Sequence, residues 1–430
     1  MITAMNQQQD VLIIGSGGRE HALAWKIAQS PRIGKLYVAP GNGGTAELAE
    51  NVQINAADVP ALLDFARSHH IHLTVVGPDD ALALGVVDAF QEAGLRIYGP
   101  TRAAAQIEAS KAFSKELMTT AGVPTARHAT FTDLTAAKRH VQSHPLPVVI
   151  KASGLALGKG VYICQDVPAA LQALTEIMGE KRFGAAGNSV VIEEFLDGQE
   201  VSIHAFCDGH TAVLFPTAQD HKRIGTGDTG PNTGGMGTFA PVPWTTPKLM
   251  EAAHRQAVKP ILQGLSDSEA EFRGTLYPGL MVTPAGGLKV LEYNARFGDP
   301  ETQSFMRLLE SDLLDILNAC VDGTLGQLEV TWADSTAVTV VLASGGYPGT
   351  YPTGLKIDGL QAAAQLPGVV VFHAGTKRSD GQLVTSGGRV LGVSATGRDL
   401  RDAQVKAYAA IKHIHFDGMQ YRTDIGNKAL

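Results

Sequence analysis

The sequence predicts an α/β protein with an N-terminal parallel sheet, an α+β middle and a small β-rich C-terminal part. Three observations carry this. Over residues 11–100, apolar strands ending in Gly or Pro ("VLIIG", "KLYVAPG", "HLTVVGP", "LRIYGP") alternate with helical stretches, the pattern of parallel strands joined by right-handed crossovers. From residue 123 strands come in pairs around single helices ("HATF", "LPVVIKA", "GVYIC", "SVVIEEFL"), and from about residue 336 short strands and turns dominate ("TAVTVVLAS", "VVVFHAGT", "GGRVLGVSA"). The 48 glycines among 430 residues, with 44% hydrophobic and 18% charged residues, suit a globular chain rich in tight turns.

The length corresponds to roughly two to four domains. A net charge of −7 provides no broad attraction for nucleic acid or an anionic membrane, so any anion site must be local. Cys164, Cys207 and Cys320 are far apart and odd in number, which argues for buried small hydrophobes over disulfides or a thiolate metal site. The polar start "MITAMNQQQD" lacks an apolar secretory core, and no run of 18 apolar residues follows. The expectation is a cytoplasmic enzyme.

The first strand runs into "GSGGREHALAW". A dinucleotide fingerprint needs a small third residue where this chain has Glu20, and an acid at the end of the second strand where it has "VAPGN". A nicotinamide cofactor is therefore disfavoured. A helix N-terminus with Arg19 beside it remains, suited to a single phosphate monoester. The other strand ends of this sheet carry Pro40-Gly41-Asn42 and Gly77-Pro78-Asp79, where ligands of open α/β sheets gather. A helix is expected near 81–93, and another over "SKAFSKELMTTAG", closed by Gly122 and Pro124.

In "VVIKASGLALGKGVYIC", Lys151 ends an apolar strand and a glycine loop with Lys159 follows. Backbone N–H groups and a fixed lysine suit nucleotide phosphates. Gly160 stands where a Walker motif needs Ser or Thr, so this is not a P-loop. "VVIEEFLDGQE" presents a strand edge that can pair with adenine, with Glu200 placed for a ribose. Next come one strand over "EVSIHAFCD" and a long glycine-rich loop within "TAQDHKRIGTGDTGPNTGGMG" that includes Asp220, His221, Lys222 and Arg223. A loop this open is usually functional. In "KVLEYNARFGDPETQ", Glu292 and Asn294 stand at i and i+2 on a strand, and Arg296 continues their face. Two oxygen ligands on one face suit Mg²⁺ bridging nucleotide phosphates, and Arg296 could clamp an anion.

Together, and in one order from residue 11 to 426, "GSGGREHALAW", "VAPGN", "ASKAFSK", "IKASGLALGKGV", "VIEEFLDGQE", "QDHKRIGTGDTGPNTGGMG", "EYNARFGDPETQ", "ASGGYPG", "FHAGTK", "GGRVLGV" and "YRTDIG" resemble the glycinamide ribonucleotide synthetases (phosphoribosylamine–glycine ligases) of the ATP-grasp superfamily. The resemblance implies a Rossmann-like (pre-ATP-grasp) N-terminal domain over 1–107. It implies an ATP-grasp central domain over 108–122 and 193–333, its lid over 123–192 and a β-rich C-terminal domain over 334–430. It also implies ATP-dependent joining of glycine to 5-phosphoribosylamine through glycyl phosphate, with ATP as co-substrate and Mg²⁺ or Mn²⁺.

By position it assigns Lys111, Lys151, Gly158, Lys159 and Gly160 to ATP phosphates. Glu193, Glu194 and Leu196 fall to adenine, Glu200 to the ribose, and Glu292 and Asn294 to the metal. Gly17, Gly18, Arg19, Gly41, Asn42, Pro78 and Asp79 fall to the sugar phosphate. Asp220 and Arg296 are assigned to glycine and its acyl phosphate, with Lys151 the third catalytic residue. The glycine-rich segment would act as a lid over the nucleotide. The expected partners are small molecules only, with no nucleic acid or membrane, and the enzyme is expected to be a monomer. The alternative within the superfamily is another purine-pathway carboxylate-activating ligase. Ser153 and Leu157 stand where the family has Asp and Ala, and Asp79 where it has Glu.

Overall fold

The computed structural model describes residues 8–156 and 159–430. Gly158 and Leu157 lie outside the described residues. Five parallel strands form the N-terminal sheet in the order Glu50–Asn51, Ile33–Pro40, Gln9–Gly15, Leu73–Val76, Ile97–Tyr98. The uninterrupted apolar run of its central strand follows from burial on both faces. Val11 and Ile13 pack into one core cluster and Leu12 and Ile14 into another, all fully buried. Each such side chain contributes roughly 1.5–3 kcal/mol of transfer free energy. The helix expected near 81–93 is two, Asp79–Ala83 and Val86–Glu92. Between them Gly85 adopts φ +83°, a left-handed conformation that ends the first helix.

The second unit is a four-stranded antiparallel sheet in the order His128–Phe131, Val190–Glu194, Val148–Ala152, Val161–Cys164. The helices Leu134–Ser143 and Val167–Leu174 pack in one core with it. Each starts at an aspartate, Asp133 or Asp166, whose side chain accepts a backbone N–H of the first turn.

The central sheet is built around the long strand Arg273–Val282. Along it lie Gln199–Ser202, Ala205–Asp208 and, on the other edge, Leu288–Asn294. The expected single strand over "EVSIHAFCD" is interrupted at Ile203 and His204. The register does not slip, since Ser202 faces Gly279 and Ala205 faces Leu276. The gap falls opposite Pro278, which has no N–H to give to the ladder.

The long glycine-rich loop expected over 217–237 is not open chain. Its flanking strands Gln219–Asp220 and Gly237–Ala240 continue the C-terminal sheet through Thr336–Ala343, Arg389–Gly397 and Val369–His373. Arg223–Gly225 and Thr229–Asn232 form a hairpin between them. Glycine-rich sequence was legible here, but the partner strands lie a hundred residues downstream. The three cysteines are buried and unpaired. Among the described residues no helix is long and apolar enough to cross a membrane.

Candidate functional site

A cleft of about 1150 Å³ opens where the four sheets converge. Its floor is the strand Leu288–Asn294. Glu292 pairs with Gly279 and Asn294 with Tyr277, so both side chains leave the same face, as the i, i+2 spacing requires. Lys151, one residue before the end of the strand Val148–Ala152, places its Nζ 3.2 Å from the Leu291 carbonyl. From the helix Lys111–Thr120, Lys111 enters beside it, its Nζ 3.4 Å from the Gly154 carbonyl. Lys222 reaches Glu292 at 3.7 Å from the hairpin side.

Enclosure in the cleft disfavours the charged form of Glu292, but Lys222, Lys151, Lys111 and Arg296 outweigh it and hold the carboxyl down at about 2. Glu292 is therefore an anion at every working pH. Burial pushes Lys111 downward, against the pull of Glu292. The donor set fits a hard divalent cation. Glu292 is ionised and the Asn294 amide oxygen has only a 3.3 Å contact from Arg296. No group of three or more His, Cys, Asp or Glu that could hold a metal occurs among the described residues. One carboxylate, one amide oxygen and phosphate oxygens are what Mg²⁺ takes.

Arg296 lies past the strand end and is already engaged, 2.8 Å from Glu108 and 3.1 Å from the Phe297 carbonyl. Burial opposes its charge, but Glu108 and Asp79 raise its pKa further above the usual guanidinium range. Asp220 meets the opposite fate. Enclosure and the nearby Glu301 push its carboxyl well above the usual range, against Lys222, the His221 N–H and Arg389. Tyr277 donates its hydroxyl to Glu301 at 2.6 Å.

Glu193, assigned to adenine, has its carboxylate elsewhere. It lies between Lys151 at 3.1 Å and Lys115 at 3.3 Å, nearly fully buried. It holds Lys151 and Lys115 together, and its backbone is paired in the sheet with His128 on one side and Val149 on the other. Sequence reasoning missed Lys115, although its place one turn after Lys111 in "SKAFSK" puts both on one helix face. Burial lowers Lys115 to about 8, against Glu193. Glu194 is held at about 2, where Lys289 and Arg127 overcome its burial, and Leu196 and Glu200 line the same wall. Lys159 reaches across the cleft to the Pro348 carbonyl at 3.0 Å. Gly160 backs onto Ala156 and Ala152, where a Cβ would stand 2.8 and 3.0 Å from theirs. Ser153 accepts the Ala112 N–H at 3.1 Å, so it caps the helix carrying Lys111 without adding a charge.

The sugar-phosphate set divides. Arg19 and Asp79 line the cleft. The helix N-terminus beside them is closed by Glu20, whose carboxylate accepts the Gly17 N–H at 2.5 Å and Arg19 Nε at 2.6 Å. A Cβ on Gly18 would meet Gln303 at 2.5 Å. Gly41, at φ +73°, gives its N–H to the Gly15 carbonyl. Asn42 is fully used: its amide donates to the Ser16 and His373 carbonyls at 2.9 Å, and its oxygen accepts from Gly44 and Thr45. Asn42 therefore ties loops together. Pro78 caps the short helix begun by Asp79.

Comparison with known proteins gives a consistent picture. The chain matches the N domain of the family described as phosphoribosylglycinamide synthetase over residues 9–108, its ATP-grasp (A) domain over 109–302 and its C domain over 337–428. It is 48% identical over 422 residues to the phosphoribosylamine–glycine ligase of Vibrio cholerae, covering 98% of both chains. It superposes on the crystal structure of the Thermotoga maritima phosphoribosylamine–glycine ligase with a TM-score of 0.84 at 33% identity, covering 97% of this chain and all of that one. The fold alone is shared with the biotin carboxylase domain of Hydrogenobacter thermophilus 2-oxoglutarate carboxylase, solved with MgADP (TM-score 0.75, 16% identity, 97% and 92% covered).

Proposed function

The chain belongs to the phosphoribosylglycinamide synthetase family, and on that premise we propose that its cleft joins glycine to 5-phosphoribosylamine at the expense of ATP. The observation that carries this reading is the convergence of Lys111, Lys151 and Lys222, from three segments, on the ionised Glu292 beside Asn294. A polyanion on two oxygen donors, flanked by lysines, is the requirement of phosphoryl transfer.

A glycine carboxylate oxygen forms a bond to the γ-phosphorus and ADP leaves. The sugar amine then attacks the acyl carbon, phosphate departs, and the amine loses a proton. Lys111 and Lys151, the latter oriented by Glu193, neutralise the phosphates, and Arg296 faces the acyl phosphate. Asp220 would bind glycine, and Arg19 and Asp79 would face the sugar. Glu292 and Asn294 would hold Mg²⁺ or Mn²⁺, which supplies charge neutralisation at the phosphate oxygens. Closing Lys159 onto Pro348 excludes water from a hydrolysable acyl phosphate. The domain limits 1–107, 108–122 with 193–333, 123–192 and 334–430 are part of this reading. So are a cytoplasmic location and a monomer, since one chain supplies every wall of the cleft.

Purified protein given MgATP, glycine and freshly generated phosphoribosylamine should release ADP and phosphate only when both co-substrates are present. Glycine-independent turnover, or none, defeats the assignment.

A further inference from the structure

The hairpin segment after Asp220 is glycine-rich, and ordering each such residue costs roughly 1–2 kcal/mol of backbone entropy. Something must hold it. The residue at its base, Gly234, is gripped from both sides by the C-terminal part of the chain. Its N–H donates to the Tyr347 hydroxyl at 3.1 Å, and its carbonyl accepts from Arg389 Nη1 at 2.7 Å. The same guanidinium donates to the Asp299 carbonyl at 2.8 Å and to its carboxylate at 2.9 Å.

What Gly234 carries is catalytically placed. The next residue, Gly235, has φ +112°, and a Cβ there would stand 2.8 Å from Asp220 Oδ1. Its backbone is therefore the wall behind that carboxylate. Thr233, one residue before, gives both its N–H and its hydroxyl to the Lys222 carbonyl, at 2.7 and 2.8 Å. Lys222 in turn faces Glu292. Tyr347 is itself anchored: its carbonyl accepts from Gln420 at 2.9 Å, and its ring packs on Gly388, where a Cβ would overlap it at 2.2 Å. Pro348, the residue after it, receives Lys159 of the lid.

We propose that Tyr347 and Arg389 are positioning residues: by clamping Gly234 they fix Asp220 and Lys222 for glycine. The inference rests on the glycine-ligase reading above. It makes the C-terminal segment a working part of the cleft. The Tyr347 hydroxyl and the Arg389 guanidinium bond Gly234 and Asp299 and none of the residues assigned to adenine or ribose, so their loss should fall more heavily on glycine than on ATP.

The test is steady-state kinetics of Y347F, which keeps the ring and deletes one hydroxyl. Losing one neutral hydrogen bond of about average strength predicts a fall of about fivefold in kcat/KM for glycine. KM for ATP should stay within about twofold and the thermal midpoint should be unchanged. R389K, which keeps the charge but cannot hold Gly234 and Asp299 together, should show the same glycine-selective loss. Y347F alone decides the matter if R389K does not fold. Wild-type kinetics in Y347F, or an equal loss toward ATP and glycine, overturns the clamp. Failure of the wild-type protein to need glycine at all would instead defeat the functional reading.

Discussion

Replacing Glu20 by alanine tests the structure's account of the first turn. The Glu20 side chain is 2% exposed and its carboxylate serves two donors, the Gly17 N–H at 2.5 Å and Arg19 Nε at 2.6 Å. Loss of a charge-assisted bond at a helix N-terminus costs about 1.5–3 kcal/mol. Arg19, whose side chain is 9% exposed, would keep the Phe297 carbonyl at 3.1 Å and the nearby charges of Asp299 and Glu108, so it is not left uncompensated. Both lost bonds concern the same carboxylate, so they do not add, and the expectation is about 1.5–3 kcal/mol. Trp25 lies on the helix Gly18–Ile27, so urea unfolding followed by its fluorescence reports the change. The vacated space, with free N–H groups and Arg19, becomes an anion site. Sulfate should therefore recover part of the loss in the variant and little in the wild type. An alanine variant within about 1 kcal/mol of wild type, or one indifferent to sulfate, refutes this account of the turn.

Three further outcomes are expected. Glu292→Gln should lower kcat by about 10²–10³-fold with the far-ultraviolet circular dichroism unchanged, because the residue faces the cleft and no core; retained activity would remove Glu292 from the metal site. Lys115 has a folded-state pKa of about 8 against 10.5, so between those values the unfolded chain binds the extra proton and stability should rise with pH; denaturation of Lys115→Met at pH 8 and 10 should show that rise abolished. Asp228 and Asp424 are both held below 3.8, where Arg422 and, for Asp228, Lys428 outweigh burial, so their stabilisation is complete above 3.8 and lost as pH falls through the depressed values. Arg422→Met should flatten that acid limb, and an unaltered acid profile would show that the fully buried guanidinium is not what holds them.

The contrast between Glu292 and Tyr347 shows which parts of the site were readable. Glu292 and Asn294 are two residues apart on one strand, and period two alone puts them on one face. Gly15 and Gly17 and the Lys151 strand are also local patterns, legible because backbone geometry dictates them, whereas the segment read as an open glycine-rich loop is a hairpin between two sheet strands. Lys115 was within reach by helical spacing from Lys111, yet its purpose depends on Glu193, which belongs to another sheet.

Glu20 was readable as the residue that breaks a dinucleotide fingerprint. That its carboxylate also fills the anion site follows from where Gly15, Gly17 and Gly77 converge: a Cβ on any of them would stand within 3 Å of Glu20 atoms. The clamp is further from view. Gly234 and Tyr347 are 113 residues apart, and Arg422 and Asp228 are 194 apart. A tyrosine in "GGYPG" and an arginine in "GGRVLGV" carry no periodicity that distinguishes a strut from a surface residue. Their meaning is set by the C-terminal sheet, which takes Gln219–Asp220 and Gly237–Ala240 as two of its own strands. Once those strands are shared, the hairpin between them is held by side chains from the C-terminal part of the chain: Arg422 bonds its Asp228, and Tyr347 and Arg389 hold its base.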